Sequence, residues 1–183
     1  MTLDKINEHI YAFRYDGEDN NVLEQLFEQW NDTLYLHGFF TNHIKDLSYF
    51  GVETVKLAIH DTLDDAEMLE DLFLDGNEAT NYELVFKPLD NNVYQEMLLG
   101  KSKARRLNRK EHVSWLRIYA IRVDKNIYVI TGGAIKLSHK MEERNETLKE
   151  RARLDQCRNF LKEQGVFDDD SFNDFIEEQP WKM

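Results

Sequence analysis

With one cysteine, two prolines and eight glycines in 183 residues, this chain has few of the devices that staple or break small folds. A lone Cys157 excludes an internal disulfide and fits a reducing, cytoplasmic setting. It falls at helical spacing between Leu154 and Leu161, which reads as a core position rather than a nucleophile. No apolar run reaches the roughly 18 residues that a membrane-spanning helix needs, so no membrane partner is expected. The opening stretch carries Asp4, Glu8, Asp16, Glu18 and Asp19 around no apolar core, which argues against a secretory leader. No Gly-x-Gly-x-x-Gly and no Gly-Lys-Ser/Thr occurs, so no nucleotide cofactor is called for. The six histidines include no pair with the spacing of a helical zinc site, and the acidic cluster Asp61–Asp71 lacks the glycine of a calcium loop. Neither a metal nor any other cofactor is expected.

An even spread of charge is also missing. Residues 1–100 hold five Lys/Arg against 21 Asp/Glu, whereas residues 101–163 hold 17 against eight, and residues 164–183 one against six. A cationic block inside a protein of net charge −12 is where a polyanion would bind, and a basic patch is the footprint of nucleic-acid recognition. The plainer reading is that acidic and basic parts pair within one fold, and the acidic flank would repel phosphates at long range.

Periodicity gives an α+β domain over 1–183, with a small antiparallel sheet of three to four strands packed by about five helices. Its parts are an acidic, largely helical stretch over 1–100, a strand pair and helix over 101–164, and a short C-terminal helix over 165–183. Residues 9–15 alternate as a strand. Asn20 or Asn21 caps a helix through Asn31 bearing Val22, Leu23, Leu26, Phe27 and Trp30. Leu34–Leu47 and Gly51–Leu74 read as helices, Tyr82–Lys87 as a strand stopped by Pro88, and Asn92–Arg109 as a helix with a basic second half. Trp115–Val123 and Ile127–Thr131 form an antiparallel pair about the turn Asp124-Lys125-Asn126, counted outward so that Arg117 lies near Gly133. Gly132-Gly133 marks a bulge or bend that re-aims the second half of the strand. A helix follows from about Lys140 to Gln164, and Asp170 or Ser171 caps the last one.

The cationic set is the candidate site. Lys101, Lys103, Arg105, Arg106, Arg109 and Lys110 precede the hairpin and are the expected RNA contacts; Lys136, Ser138, His139 and Lys140 follow it. Such a group can neutralise a phosphate and stabilise charge on a scissile phosphodiester, with a His or Lys moving protons. It can equally be a solvated edge whose lysines prevent strand pairing with another molecule. Arg117 and Arg122, five apart on one strand, face opposite ways.

The run Arg117-Ile118-Tyr119-Ala120 and then Ile127 to Lys140 (Ile-Tyr-Val-Ile-Thr-Gly-Gly-Ala-Ile-Lys-Leu-Ser-His-Lys), followed by a Glu/Lys/Arg-rich helix, resembles the C-terminal half of RelE/HigB-like toxins, in particular the phage-derived HigB-type branch. The resemblance covers about residues 110–164. The Thr-Pro usual after the lysines is absent, and about 100 mostly acidic residues precede the similar part. What the resemblance implies is a metal-independent endoribonuclease acting on messenger RNA at the ribosome, in a toxin–antitoxin pair, with the RNA 2′-hydroxyl as nucleophile. Arg117 and Lys136 would hold the phosphate, and His139 and Lys140 would transfer protons or neutralise charge. The alternative is a noncatalytic interaction or regulatory protein whose acidic helices bind a basic partner.

Overall fold

The computed structural model describes residues 1–76, 78–89, 100–104, 114–137 and 144–179. The fold is α+β. Its sheet begins with β1 (Thr2–Lys5) and β2 (Ile10–Arg14), an antiparallel pair. Three helices then form, α1 (Val22–Asn31), α2 (Thr33–Asn42) and the single turn α3 (Ile44–Leu47), before the long α4 (Val55–Leu74). A helical turn α5 (Tyr82–Val85) leads into β3 (Phe86–Pro88), and β4 (Gly100–Ala104), β5 (Leu116–Asp124) and β6 (Ile127–Ile135) complete the sheet. Helices α6 (Arg144–Glu163) and α7 (Asp169–Glu178) close the described chain.

Strand order is β1-β2-β6-β5-β4-β3, antiparallel throughout except for the parallel β2–β6 contact. Short strands at both edges widen the sheet beyond the three to four expected. Helices cover it on both faces, and the two glycines of β6 identify them. A Cβ on Gly132 would run into the Glu150 carboxylate of α6, while one on Gly133 would meet the Arg117 carbonyl at 2.6 Å and Leu26 of α1 at 2.8 Å. The strand can be sandwiched this closely only where it carries no side chain. Aromatic contacts agree: Phe13 and Tyr11 of β2 meet Phe160 of α6 and Phe172 of α7 edge-on.

Local chemistry explains most element ends. Asn21 accepts from the Leu23 and Glu24 amides while Glu24 reaches back to the Asn21 N–H, closing a capping box on α1. The buried Val22, Leu23, Leu26, Phe27 and Trp30 recur at helical spacing along its inner face. Asp32 ends α1 and caps α2, and a break at His43 divides the expected Leu34–Leu47 helix into α2 and α3. Gly51, at φ +70°, follows a 3₁₀ turn (Ser48–Phe50), so α4 starts only at Val55, capped by Thr54. The last helix is capped by Asp168 rather than Asp170 or Ser171; its carboxylate accepts from the Ser171 amide and hydroxyl, which hold it below the usual carboxyl range.

Two expectations fail for tertiary reasons. Residues 82–85 form a helical turn, not a strand, because the hairpin tip seizes them. The Tyr82 N–H donates to Asn126 Oδ1 at 2.6 Å, and Glu83 Oε1 accepts from Arg122 Nε at 2.9 Å and the Asn126 N–H at 2.7 Å. Asn126 takes the positive φ of 58° that the two-residue turn Lys125-Asn126 requires. Gly100–Ala104, expected within a helix, is β4, held by its ladder to β5; the rest of 92–109 lies outside the described residues.

The acidic half is integral to this architecture. β2 lies beside β6, and α1 packs on both, so residues 1–80 supply core rather than an appendage. Among the described residues no helix is long and apolar enough to cross a membrane.

Candidate nucleic-acid interface

Strand direction decides what meets at the end of the sheet away from the hairpin tip. Ala104 closes β4 opposite Ile118, β5 opens at Leu116, and β6 closes at Ile135 opposite Leu116. One residue further, the Lys136 N–H donates to the Trp115 carbonyl at 2.7 Å. Ala104 and Ser114, which flank residues 105–113, and Leu137, which precedes 138–143, therefore share this end. It is the attachment point of both cationic segments.

Two of the four expected catalytic residues are described there. Arg117 pairs with Ala134, one position beyond the expected Gly133: Asp124 rather than Val123 faces Ile127, and the ladder slips twice, leaving Val123 as an extra residue on β5 and Thr131 as an extra residue on β6. Lys136 follows Ile135, the last residue of β6, and so lies at the same end of the sheet as Arg117. Both side chains are half-buried. Arg117 Nη1 donates to the Ser114 and Leu116 carbonyls, each at 2.7 Å, which fixes one edge of the guanidinium against the backbone where β5 starts. Trp115, fully buried, anchors the same corner by donating to Thr62 Oγ1 at 3.0 Å and meeting the Phe40 and Phe50 rings. Among the expected RNA contacts, Lys101 and Lys103 lie on β4 in register with Ile121 and Tyr119. Arg105, Arg106, Arg109, Lys110, His139 and Lys140 lie outside the described residues.

Arg122 belongs to the opposite end of the hairpin, bound to Glu83. Tyr128, next to this pair, has its hydroxyl pushed above the ordinary tyrosine range, first by burial and then by the Glu83 charge.

A polar cluster that sequence reasoning missed lies where α6 crosses β6. Tyr15 donates to the Thr131 carbonyl at 2.6 Å, satisfying the bulged residue, and its oxygen is 3.2 Å from Cys157 Sγ. Arg153 lies 5.3 Å over the Tyr15 ring and donates to Glu150 Oε1 at 3.1 Å. Burial pushes the Cys157 thiol up to about 11 and raises the Tyr15 hydroxyl further, so both are protonated at neutral pH. A buried thiol held in that form is a poor nucleophile, and Cys157 is core. The signal was present in the sequence: Glu150, Arg153 and Cys157 share one helical face, and a glycine marks the strand beneath them.

Among the described residues no three His, Cys, Asp or Glu side chains are grouped to hold a metal ion. The chain matches no protein-family model, and neither the curated proteins nor the solved structures provide a match.

Proposed function

We propose that this protein is a RelE/HigB-like, toxin-type endoribonuclease that acts in the cytoplasm on messenger RNA, at the ribosome, without a metal, and that it is held in check by a cognate antitoxin. The observation that carries the reading is the convergence of Arg117, Lys136 and the attachment points of both cationic segments at one end of the β4–β5–β6 sheet. The resemblance over residues 110–164 supplies the reaction class.

In such a reaction the 2′-oxygen attacks the adjacent phosphorus, its proton passes to a base, and the 5′-oxygen leaves with a proton from an acid. The products are a 2′,3′-cyclic phosphate and a 5′-hydroxyl. Charge accumulates on the non-bridging oxygens in the transition state, where fixed cations act most strongly. Arg117, oriented by two backbone carbonyls, and Lys136 take that role, while His139 and Lys140 move the protons. The basic tract Lys101, Lys103, Arg105, Arg106, Arg109 and Lys110 holds the flanking RNA.

The test is cleavage of a translated messenger RNA by the purified chain in a ribosome-containing extract, mapped by primer extension. Cuts by the wild type that fall at least ~100-fold with Lys136→Ala, at an unchanged melting temperature, support the reading; such decreases are typical when one acid–base or charge-stabilising group is removed. Absence of cleavage, or equal cleavage by the variant, refutes it.

A further inference from the structure

Between α1 and α4, on the face of the sheet away from α6, runs an open groove of about 390 Å³. Leu23 and Phe27 of α1 line one wall, Leu74 of α4 the other, and Ile6 from the β1–β2 connection closes the base. Leu74 is 49 % exposed at the end of α4, although its neighbour Phe73 is fully buried. The rim is acidic: Glu24 and Glu28 stand one helical turn apart on α1, and Glu70 one turn before Leu74 on α4. Glu67 and Asp71, both exposed, extend the α4 side of the same stripe.

Among the described residues no lysine or arginine lines the groove, and Glu24, Glu28 and Glu70 form no salt bridge. Glu24 is partly used by the capping box, and Glu28 accepts from Asn20 at 2.7 Å. The arrangement does not suit a small polar ligand. Its one neutral polar side chain among the described residues, Asn31, already donates to the Phe27 carbonyl at 2.9 Å.

We infer that this groove docks a basic amphipathic helix of a partner protein, whose apolar residues enter between Phe27 and Leu74 while lysines or arginines meet the Glu24/Glu28 and Glu67/Glu70/Asp71 rims. Apolar anchors at helical spacing laid into a groove between two helices are an established recognition mode. Here the sign of both rims selects a cationic occupant and excludes an acidic one. This inference stands apart from the RNA reading, because the groove and the Arg117–Lys136 end share no residue.

The experiment titrates the full chain, at physiological salt, into a fluorescent synthetic helix with leucines along one face and lysines elsewhere. A control peptide keeps the lysines and replaces leucine by glutamine. Saturable binding of the first peptide and not the control is expected. Glu28→Lys with Glu70→Lys should weaken it about tenfold, since each reversal exchanges attraction for repulsion at the rim. Leu74→Gln should weaken it with no change of charge. Asp174→Lys with Glu177→Lys, the same change of net charge placed on α7, should leave affinity within about twofold. Equal weakening by the α1/α4 and α7 reversals, or none with Leu74→Gln, would overturn the proposal in favour of general attraction to an acidic protein. Failure of the peptide to bind, together with concentration-dependent dimerisation abolished by Leu74→Gln, would overturn it in favour of a second copy of this chain.

Discussion

Removing the Glu83 carboxylate should destabilise the protein by about 3 kcal/mol, because it strands a buried cation. The Arg122 side chain is 10 % exposed and Glu83 18 %, with Nε and Oε1 2.9 Å apart. Removing one partner of a buried ion pair typically costs about 3–5 kcal/mol, and the residual exposure of Glu83 favours the lower end. The same oxygen also accepts from the Asn126 N–H in the hairpin turn, so Glu83→Ala removes a second charge-assisted bond there. For a chain of this size about 3 kcal/mol corresponds to roughly 6–12 °C in melting temperature. Calorimetry and urea unfolding measure it, and Arg122→Met, alone and combined with Glu83→Ala, completes the cycle. The double variant should be less damaged than the sum of the single ones, since it leaves neither charge alone. A fall below about 2 °C for Glu83→Ala, or strict additivity, would refute the claim that this pair clamps α5 to the hairpin.

Gly133→Ala should cost about 2–3 kcal/mol in urea unfolding, because its Cβ meets a backbone carbonyl at 2.6 Å that cannot swing aside; an unchanged midpoint would contradict the close packing of α1 on β6. Stability should decline from about pH 9 towards pH 11. The Cys157 thiol is raised from 9.0 to about 11 in the folded state, so the native protein holds a proton that the unfolded chain releases, and that stabilisation disappears as pH rises through this window. Cys157→Ala should flatten this limb in part, with Tyr15 and Tyr128 retaining their share; an identical pH profile would count against the burial argument.

What is legible in the sequence, and what is not, follows from where each signal is stored. Helix α1 is legible because its cap and its apolar spacing are both local. The β5–β6 hairpin is legible from alternation and the short turn at Asp124-Lys125-Asn126, which the structure tightens to Lys125-Asn126, and α+β class follows from few strands among many helices. β4 is not legible: Lys101-Ser102-Lys103 has little strand preference and becomes a strand only by pairing with β5. β1 is four residues long and shows no pattern of its own. The turn at Tyr82 reflects bonds to Asn126, 44 positions away. The parallel β2–β6 contact, which makes the acidic half inseparable from the sheet, is nowhere encoded locally. At the candidate site the direction of the hairpin is plain from the turn, but Asp124 rather than Val123 faces Ile127 and the ladder slips again at a bulge at Thr131, so Arg117 meets Ala134 rather than Gly133. The neighbouring glycines hint at that bulge without fixing its place.

The most direct test of the RNA reading is the salt dependence of affinity for a single-stranded RNA, compared between the wild type and Arg105→Glu with Arg106→Glu. Removing one phosphate-bound cation should lower the slope of log affinity against log salt by roughly 0.7 for a single strand. Weaker binding at low salt and a slope shallower by about 1.4 are expected for the double variant. Equal affinity and equal slope for the two proteins would contradict it.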